Sequence, residues 1–401
     1  MNDLSLKGTR ILISGAGVAG PALASWLARR GAEATVVEYA SALRGSGFTV
    51  DFRGPTHLGV LDRTGVLDEL RGLQTHGGAM RFVDSRGKEK FELPAEFAGG
   101  EVEVYRSDLS RVLYERSLAP DAGGRVEYVF GDTITGLTET ADAVHATFAK
   151  SADRTFDLVV GADGMHSAVR RLAFGPEEQF LRTLGYCLAG WDLPNELGLG
   201  GTPLQYNVPG RMAGAGANLL DPGQAKTLFI FKTEDVTLAR AGLDRQKQAL
   251  REAFGGLGWQ VPALLKSLDE ADEMYFDSIA RVKVPSFTSG RIALLGDAAW
   301  GVTLGGMGVG TAIVGGYVLA GELAAANGDH RAAFAQYQRR MSAYAGRWQK
   351  GANPGKFLAP GSRAGLWTRD TLFKRKAVRR MMVAGTKTLA TDDALPDYPQ
   401  P

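Results

Sequence analysis

Cysteine is almost missing: Cys187 stands alone in 401 residues, which excludes an intrachain disulfide and any cysteine metal cluster. Histidine is scarce as well. His57, His76, His145, His166 and His330 are scattered, without the H-x-x-x-H type of spacing that holds zinc. There is no charge excess, since 46 Lys and Arg against 44 Asp and Glu leave +2, and nothing favours a nucleic acid or an acidic surface as partner. No internal repeat, low-complexity tract, catalytic triad or paired carboxylates stand out. Residues 1–8 are largely polar and carry both charge signs, which is not the pattern of a secretory signal. Residues 11–28 carry no charge and reach the length of a membrane span, yet Gly15, Gly17, Gly20 and Pro21 interrupt them. With 44% apolar and 22% charged residues, the expectation is an ordinary soluble, cytoplasmic globular protein with no stable membrane association.

Glycine is what the chain has in quantity, 53 of them, and the first cluster carries a mechanism. An apolar strand from Arg10 runs into Gly15-Ala-Gly17-Val-Ala-Gly20, which opens an apolar helix, and a second strand ends at Glu38. In this dinucleotide fingerprint Gly15 allows the tight turn, Gly17 lets a pyrophosphate approach the backbone, and Gly20 lets helix and strand pack closely. The helix start offers free N–H groups and a positive dipole end to phosphate. Glu38 falls at about the spacing, ~20 residues, at which an acid takes ribose hydroxyls. FAD and NAD both remain open at this point.

The rest of the chain reads as parallel-sheet pieces around an antiparallel insert. Residues 58–70 have helical spacing with a break at Gly65, and 80–93 read as two strands joined at Arg86-Gly87. Residues 102–106 form a short strand, followed by a helix that Ser107 or Asp108 can cap. Segments 125–130, 134–137 and 143–148 suggest a small meander, and 155–160 a strand buried in a parallel sheet. From about 184 to 279 the pattern is antiparallel, with strands at 184–193, 204–208, 212–219 and 225–231 and a helix over 244–254. Residues 292–296 return to the buried strand pattern and feed a glycine-rich loop and a long apolar helix over 310–326. Beyond 331 the chain is helical and basic.

Two further motifs follow the first. In Gly161-Ala-Asp163-Gly164-Met-His-Ser167, a strand turns sharply into a helix that Ser167 or Asp163 can cap. In Gly296-Asp297, followed by Gly305-Gly306-Met307-Gly308-Val-Gly310, an aspartate ends a strand. Glycines then bring backbone N–H groups toward a ring or phosphate at a helix start. These three motifs in this order resemble the class A FAD monooxygenases of the para-hydroxybenzoate hydroxylase family, including the branches that tailor polyketides and inactivate tetracyclines. The resemblance covers roughly residues 10–326.

That resemblance implies an α/β fold with a Rossmann-like, glutathione-reductase-type FAD domain, an inserted antiparallel substrate domain and C-terminal helices. The implied boundaries are 1–76, 101–180 and 281–345 for the FAD domain, 77–100 and 181–280 for the substrate domain, and 346–401 for the helices. It implies FAD contacts at Gly15, Gly17, Gly20, Glu38, Arg106, Asp163, Gly164, Gly296 and Asp297; Arg44, beside the first glycine loop, and Gly306, Met307 and Gly308 in the last one are read from the loops themselves as further cofactor contacts. NADPH or NADH and O2 are the implied co-substrates, and hydroxylation of an aromatic or polyketide-type small molecule through a flavin C4a-hydroperoxide is the implied reaction. No protein side chain is assigned as catalytic, because the cofactor carries the chemistry. No metal is expected, and the protein is read as a monomer or homodimer. Two departures bear on the pocket: Tyr39 stands where the family usually has arginine, and the loop after Asp297 lacks the usual proline. Oxidase or halogenase chemistry on the same fold, or ligand binding without turnover, are the alternatives; the halogenase Trp-x-Trp-x-Ile-Pro pattern is absent.

Tyr186, Trp191, Tyr206 and Trp300 are candidate pocket residues, each with a competing reading as a packing aromatic. His166 reads as a helix-start or surface residue rather than a base, Arg44 and Arg53 as flavin contacts or solvated charges, and Cys187 as a small buried hydrophobe. The basic run from Lys374 reads as a solvated helix face.

Overall fold

Strand Arg10–Ser14 is apolar because both of its faces are covered; Ile11, Leu12 and Ile13 are fully buried. The computed structural model describes residues 6–45, 47–120, 124–305, 307–349, 353–389 and 395–398. A six-stranded sheet runs Thr288–Ser289, Ile292–Leu294, Leu158–Gly161, Arg10–Ser14, Glu33–Glu38, Arg125–Phe130, and every pair but the first is parallel. Helix Ala19–Arg29 lies on it and packs against the long helix Gly308–Ala325. Gly316 permits the close approach: a Cβ there would sit 3.3 Å from the Leu23 backbone nitrogen. Gly308–Ala325 is, among the described residues, the one helix apolar and long enough to cross a membrane, and 83% of it is buried inside the fold. It is a core helix.

Arg125–Phe130 corrects the expected meander. It pairs in parallel with Glu33–Glu38 as a sheet edge, and the three-stranded meander is built from Ile134–Glu139, Val144–Phe148 and Arg154–Phe156. The helix after strand Val102–Tyr105 also starts earlier than expected, at Arg106, with no side-chain cap from Ser107 or Asp108.

The second large sheet runs Tyr275–Val282, Leu181–Gly190, Gln224–Lys232, Arg211–Ala217, Leu204–Val208, Met80–Val83, Glu89–Leu93. It is antiparallel except where Leu204–Val208 meets Met80–Val83. Side chains alternate between its faces. Cys187, Ala189, Phe229 and Phe231 pack on one face against helices Leu243–Phe254 and Val261–Glu270. Tyr186, Leu188, Met212 and Ile230 pack on the other, with Phe357, Phe373 and Met382 from the C-terminal helices.

Candidate active site: a cofactor cradle and its wall

The first glycine turn is held by three constraints. Gly15 has φ +104°, its N–H donates to the Val37 carbonyl at 2.7 Å, and a Cβ on it would press on Ala162 O at 2.6 Å. Only glycine satisfies all three. A side chain at Gly20 would collide with the Gly15 carbonyl and Ile13. Gly17, by contrast, faces space: its nearest neighbour is Arg106 Nη2, 3.7 Å from where a Cβ would be. Glu38 spans the turn, its Oε2 accepting from Ala16 N at 2.8 Å and its Oε1 from Ala40 N at 3.0 Å.

The second motif docks beside it. Asp163 Oδ2 accepts from Ala168 N (2.8 Å), Val169 N (3.2 Å) and Ser14 Oγ (3.1 Å), and Ser167 Oγ caps the same helix from Arg170 N. Both capping readings therefore hold. Asp163 Oδ1 is buried without a protein partner, a costly state that a ligand hydroxyl or N–H relieves. Gly164 turns the chain at φ +80°. The fully buried Arg170 donates to Ala298 O at 2.9 Å and to Met165 O at 2.5 Å, tying this motif to the third.

In the third motif Gly296, at φ +64°, lies against Ala19 and Ala312. Asp297 heads the short helix Asp297–Trp300, and a Cβ at Gly308 would lie 3.3 Å from its Oδ1. Burial pushes the Asp297 carboxyl above its ordinary value, and nearby Arg106 pulls it back down. Arg106 N donates to Phe48 O at 3.1 Å, and its stem lies under Gly47. Met307 is buried and precedes helix Gly308–Ala325, Arg44 is exposed, and Gly306 lies outside the described residues. The cradle thus fits a flavin dinucleotide: open space at Gly17, an unmatched acceptor at Asp163, and an arginine and a buried aspartate at one end.

Facing that end is a wall that the sequence reading missed. Tyr275 pairs with Gly190 across the antiparallel sheet, and its ring meets Phe48 edge-on at 5.7 Å. The phenol pKa is raised by burial and by Asp277 and Asp297, while Arg106 and Arg44 oppose the shift. Tyr275 is 37% exposed yet lies in the field of all four groups, as a residue lining a concavity does. Gly190 leaves room for Phe48, whose ring would otherwise be struck by a Cβ. Strand geometry puts residues 275, 277 and 279 on one face, but the sequence does not say which side of the sheet that face takes.

The expected pocket aromatics are mostly elsewhere. Trp191 lies on the far face of the sheet, its ring tilted against Phe229 at 4.9 Å, and its Nε1 donates to Ser267 Oγ at 3.0 Å. Tyr206 is on that face too, beside Trp259. Strand alternation puts both away from the cradle. Trp300 turns into the core between Phe287 and Tyr337. Tyr186 is on the cradle-side face, but Gly355 and Gly361 cover its ring, and it lies four residues from Gly190, about 13 Å along the strand. Arg53 is turned to Asp51 and the Glu96 carbonyl.

His166 joins the two sheets. Its Nε2 is 3.2 Å from Asp277 Oδ1 and its Nδ1 3.1 Å from Glu177 Oε1. Those bonds, to Asp277 first and Glu177 second, outweigh burial and raise its pKa to about 9. Burial by itself pushes the Glu177 carboxyl up, but His166 and Arg240 bring it down to about 2. His166, Arg171, Pro176, Glu177, Glu178 and Arg240 line a cleft of about 380 Å³ beside this cluster. Cys187 is buried as expected, and burial lifts its thiol to about 12.

Comparison with known proteins agrees with this geometry. Residues 8–182 match the family described as FAD binding domain. A flavin-dependent monooxygenase of Legionella longbeachae is 32% identical, over 98% of this chain and 99% of its own length. An uncharacterized protein of Mycobacterium tuberculosis is 36% identical over 84% of this chain and 91% of its own. The crystal structure of tetracycline destructase Tet(51) superposes with a TM-score of 0.83 at 28% identity, covering 97% of this chain and all of that one. With an open glycine cradle, two aspartates and an arginine at its ends, and full-length likeness to such enzymes, this chain belongs to the class A flavin-dependent monooxygenases.

Proposed function

We propose that this monooxygenase takes reducing equivalents from NADPH or NADH in the cytoplasm and hydroxylates a planar, polyhydroxylated aromatic or polyketide-type molecule. Tetracyclines are the first members of that class to test, given the likeness to tetracycline destructase Tet(51). The observation carrying this reading is the wall of Tyr275, Phe48 and Gly190 opposite Asp297 and Arg106. It offers an aromatic face, a phenol and a cation to one end of the cradle. In this reading Gly15, Gly17, Gly20, Glu38, Arg44, Arg106, Asp163, Gly164, Asp297, Gly306, Met307 and Gly308 hold the FAD. When bound, the flavin supplies the redox chemistry: it passes electrons from NAD(P)H to O2, one oxygen atom going to the substrate and the other to water. Phe48 stacks the substrate ring, and Tyr275 hydrogen-bonds a substrate hydroxyl and fixes which carbon is presented. The sheet and the C-terminal helices exclude water.

Purified holoprotein should be yellow and oxidise NADPH or NADH, with the rate rising when a tetracycline or a polycyclic phenol is added and product mass increasing by one oxygen atom. A protein that binds FAD but whose NAD(P)H and O2 consumption stays indifferent to every such ring would overturn the substrate assignment. Protein that cannot be loaded with FAD would overturn the cradle assignment as well.

A further inference from the structure

Strand alternation puts Lys226 on the cradle-side face of the antiparallel sheet, because its neighbour Ala225 belongs to the apolar cluster on the far face. An ammonium settles among apolar side chains only where it finds acceptors. In register it is flanked by Gly216 on one strand and Asp192 on the other. Its Nζ lies 2.8 Å from Asp192 Oδ1, donates to the Gly47 carbonyl at 3.0 Å, and stands 5.8 Å from the centre of the Tyr105 ring. Asp192 is half exposed, so that pairing contributes little. The bond to Gly47 is different: it crosses 179 residues, from the sheet to the FAD domain.

Gly47 stands between Arg44 and Phe48 and close to the arginine of the cradle, where a Cβ on it would come 3.3 Å from Arg106 Cβ. From that side the Arg106 N–H holds the Phe48 carbonyl at 3.1 Å. From the sheet side Lys226 holds the adjoining carbonyl. Among the described residues this is the one hydrogen bond from the sheet to Arg44, Gly45, Gly47 or Phe48. Arg44 and Gly45 are exposed, and two glycines give this backbone unusual freedom. Phe48 nevertheless carries the ring that faces Tyr275 and fills the space left by Gly190. The sheet and the FAD domain are joined next to Lys226 by other bonds as well. Tyr105 Oη donates to Asn218 Oδ1 at 2.8 Å and accepts from Leu219 N at 3.2 Å, so their contact does not depend on the lysine.

We propose that Lys226 is a positioning residue of the active site. Its charge-assisted bond to the Gly47 carbonyl fixes Phe48 against Tyr275 and so sets the gap that the substrate ring enters. It acts through Gly47 and Phe48 rather than on the substrate itself. The inference rests on the reading of Phe48 and Tyr275 as the substrate wall.

The test is limited trypsin digestion of the FAD-loaded protein, following by mass the cut between the exposed Arg44 and Gly45, together with steady-state kinetics on an accepted polycyclic phenol. Lys226→Met should speed that cut by about tenfold, because cleavage tracks the population of the released stretch. It should raise KM by about the same factor with kcat nearly unchanged. Lys226→Arg, which keeps the cation, should restore both. Lys232→Met, at the exposed end of the same strand, should change neither. Flavin content and thermal midpoint should stay at wild-type values in all three, since the Tyr105 bonds remain. Should Lys226→Met not retain flavin, Lys226→Gln, polar and one atom shorter, carries the same expectation. An unchanged cut at Arg44 overturns the proposal. So does a faster cut with unchanged KM, which would make Lys226 a tether with no part in placing the substrate. A wild-type protein that accepts no such ring refutes the substrate reading instead, and the cut at Arg44 then decides by itself whether Lys226 holds the stretch.

Discussion

Tyr275 and Trp191 are two aromatics of the same sheet with opposite consequences. Tyr275→Phe removes the phenol that faces Asp297, Arg106 and Arg44 and leaves the glycine cradle alone. FAD content should be unchanged while the KM of an accepted phenolic substrate rises by about tenfold, the worth of one hydrogen bond of ~1.5 kcal/mol. Trp191→Phe instead leaves Ser267 without its indole partner. It should cost ~1 kcal/mol of stability by denaturant titration and leave KM where it was. An effect of Trp191→Phe on KM with stability intact would restore Trp191 to the pocket. Nothing in the local sequence separates these two aromatics, because which face a strand residue takes depends on its register with its neighbours. Gly15, Asp163 and Asp297 were legible for the converse reason: their work is done by the backbone, or within one turn of it.

Among the elements, the contact between the Asp163 loop and strand Tyr275–Val282 is the one with a pH dependence. His166 is raised from an ordinary 6.5 to about 9, so its protonated form favours the fold. The stabilisation is complete below pH 6.5 and is lost as pH rises through about 9. Glu177, lowered from 4.5 to about 2, contributes above pH 4.5 and loses that contribution as pH falls through about 2. The thermal midpoint should therefore decline between pH 7 and 10 by a few degrees, since His166 is partly exposed. His166→Gln should flatten that decline, and an unchanged slope in the variant would show that the His166–Asp277–Glu177 contact does not carry it. The strands at 204–208 and 225–231 and the helix near 244–254 were visible from alternation and spacing. Arg125–Phe130, Val261–Glu270 and Tyr275–Val282 were misplaced or unread, since an edge strand of mixed polarity carries the same pattern whether it joins a meander or a parallel sheet.

For the whole molecule, the cradle joins pieces far apart in the chain: Gly15 rests on Ala162, Gly296 on Ala19, and Arg170 on Ala298. A ligand filling it binds only the folded state. Added FAD at about a hundredfold over its Kd should stabilise the apoprotein by ~2.7 kcal/mol, seen as a rise of a few degrees in the melting midpoint. Asp163→Ala should reduce that rise and also cost ~1 kcal/mol without cofactor, because the carboxylate caps the helix that follows it. A midpoint indifferent to FAD would contradict the cradle.

The sequence by itself determined the three glycine and aspartate motifs, the α/β class and the broad alternation of parallel ends around an antiparallel insert, though not the parallel pairing of Arg125–Phe130. Each is a local matter of backbone freedom, periodicity or capping. Tertiary structure decided what faces what. It set Tyr275 rather than Trp191, Tyr206 or Trp300 against the cradle and linked His166 to Asp277 across 111 residues. These outcomes depend on register and on helix rotation, which are settled by packing the whole chain at once and have no signature within a single stretch of it.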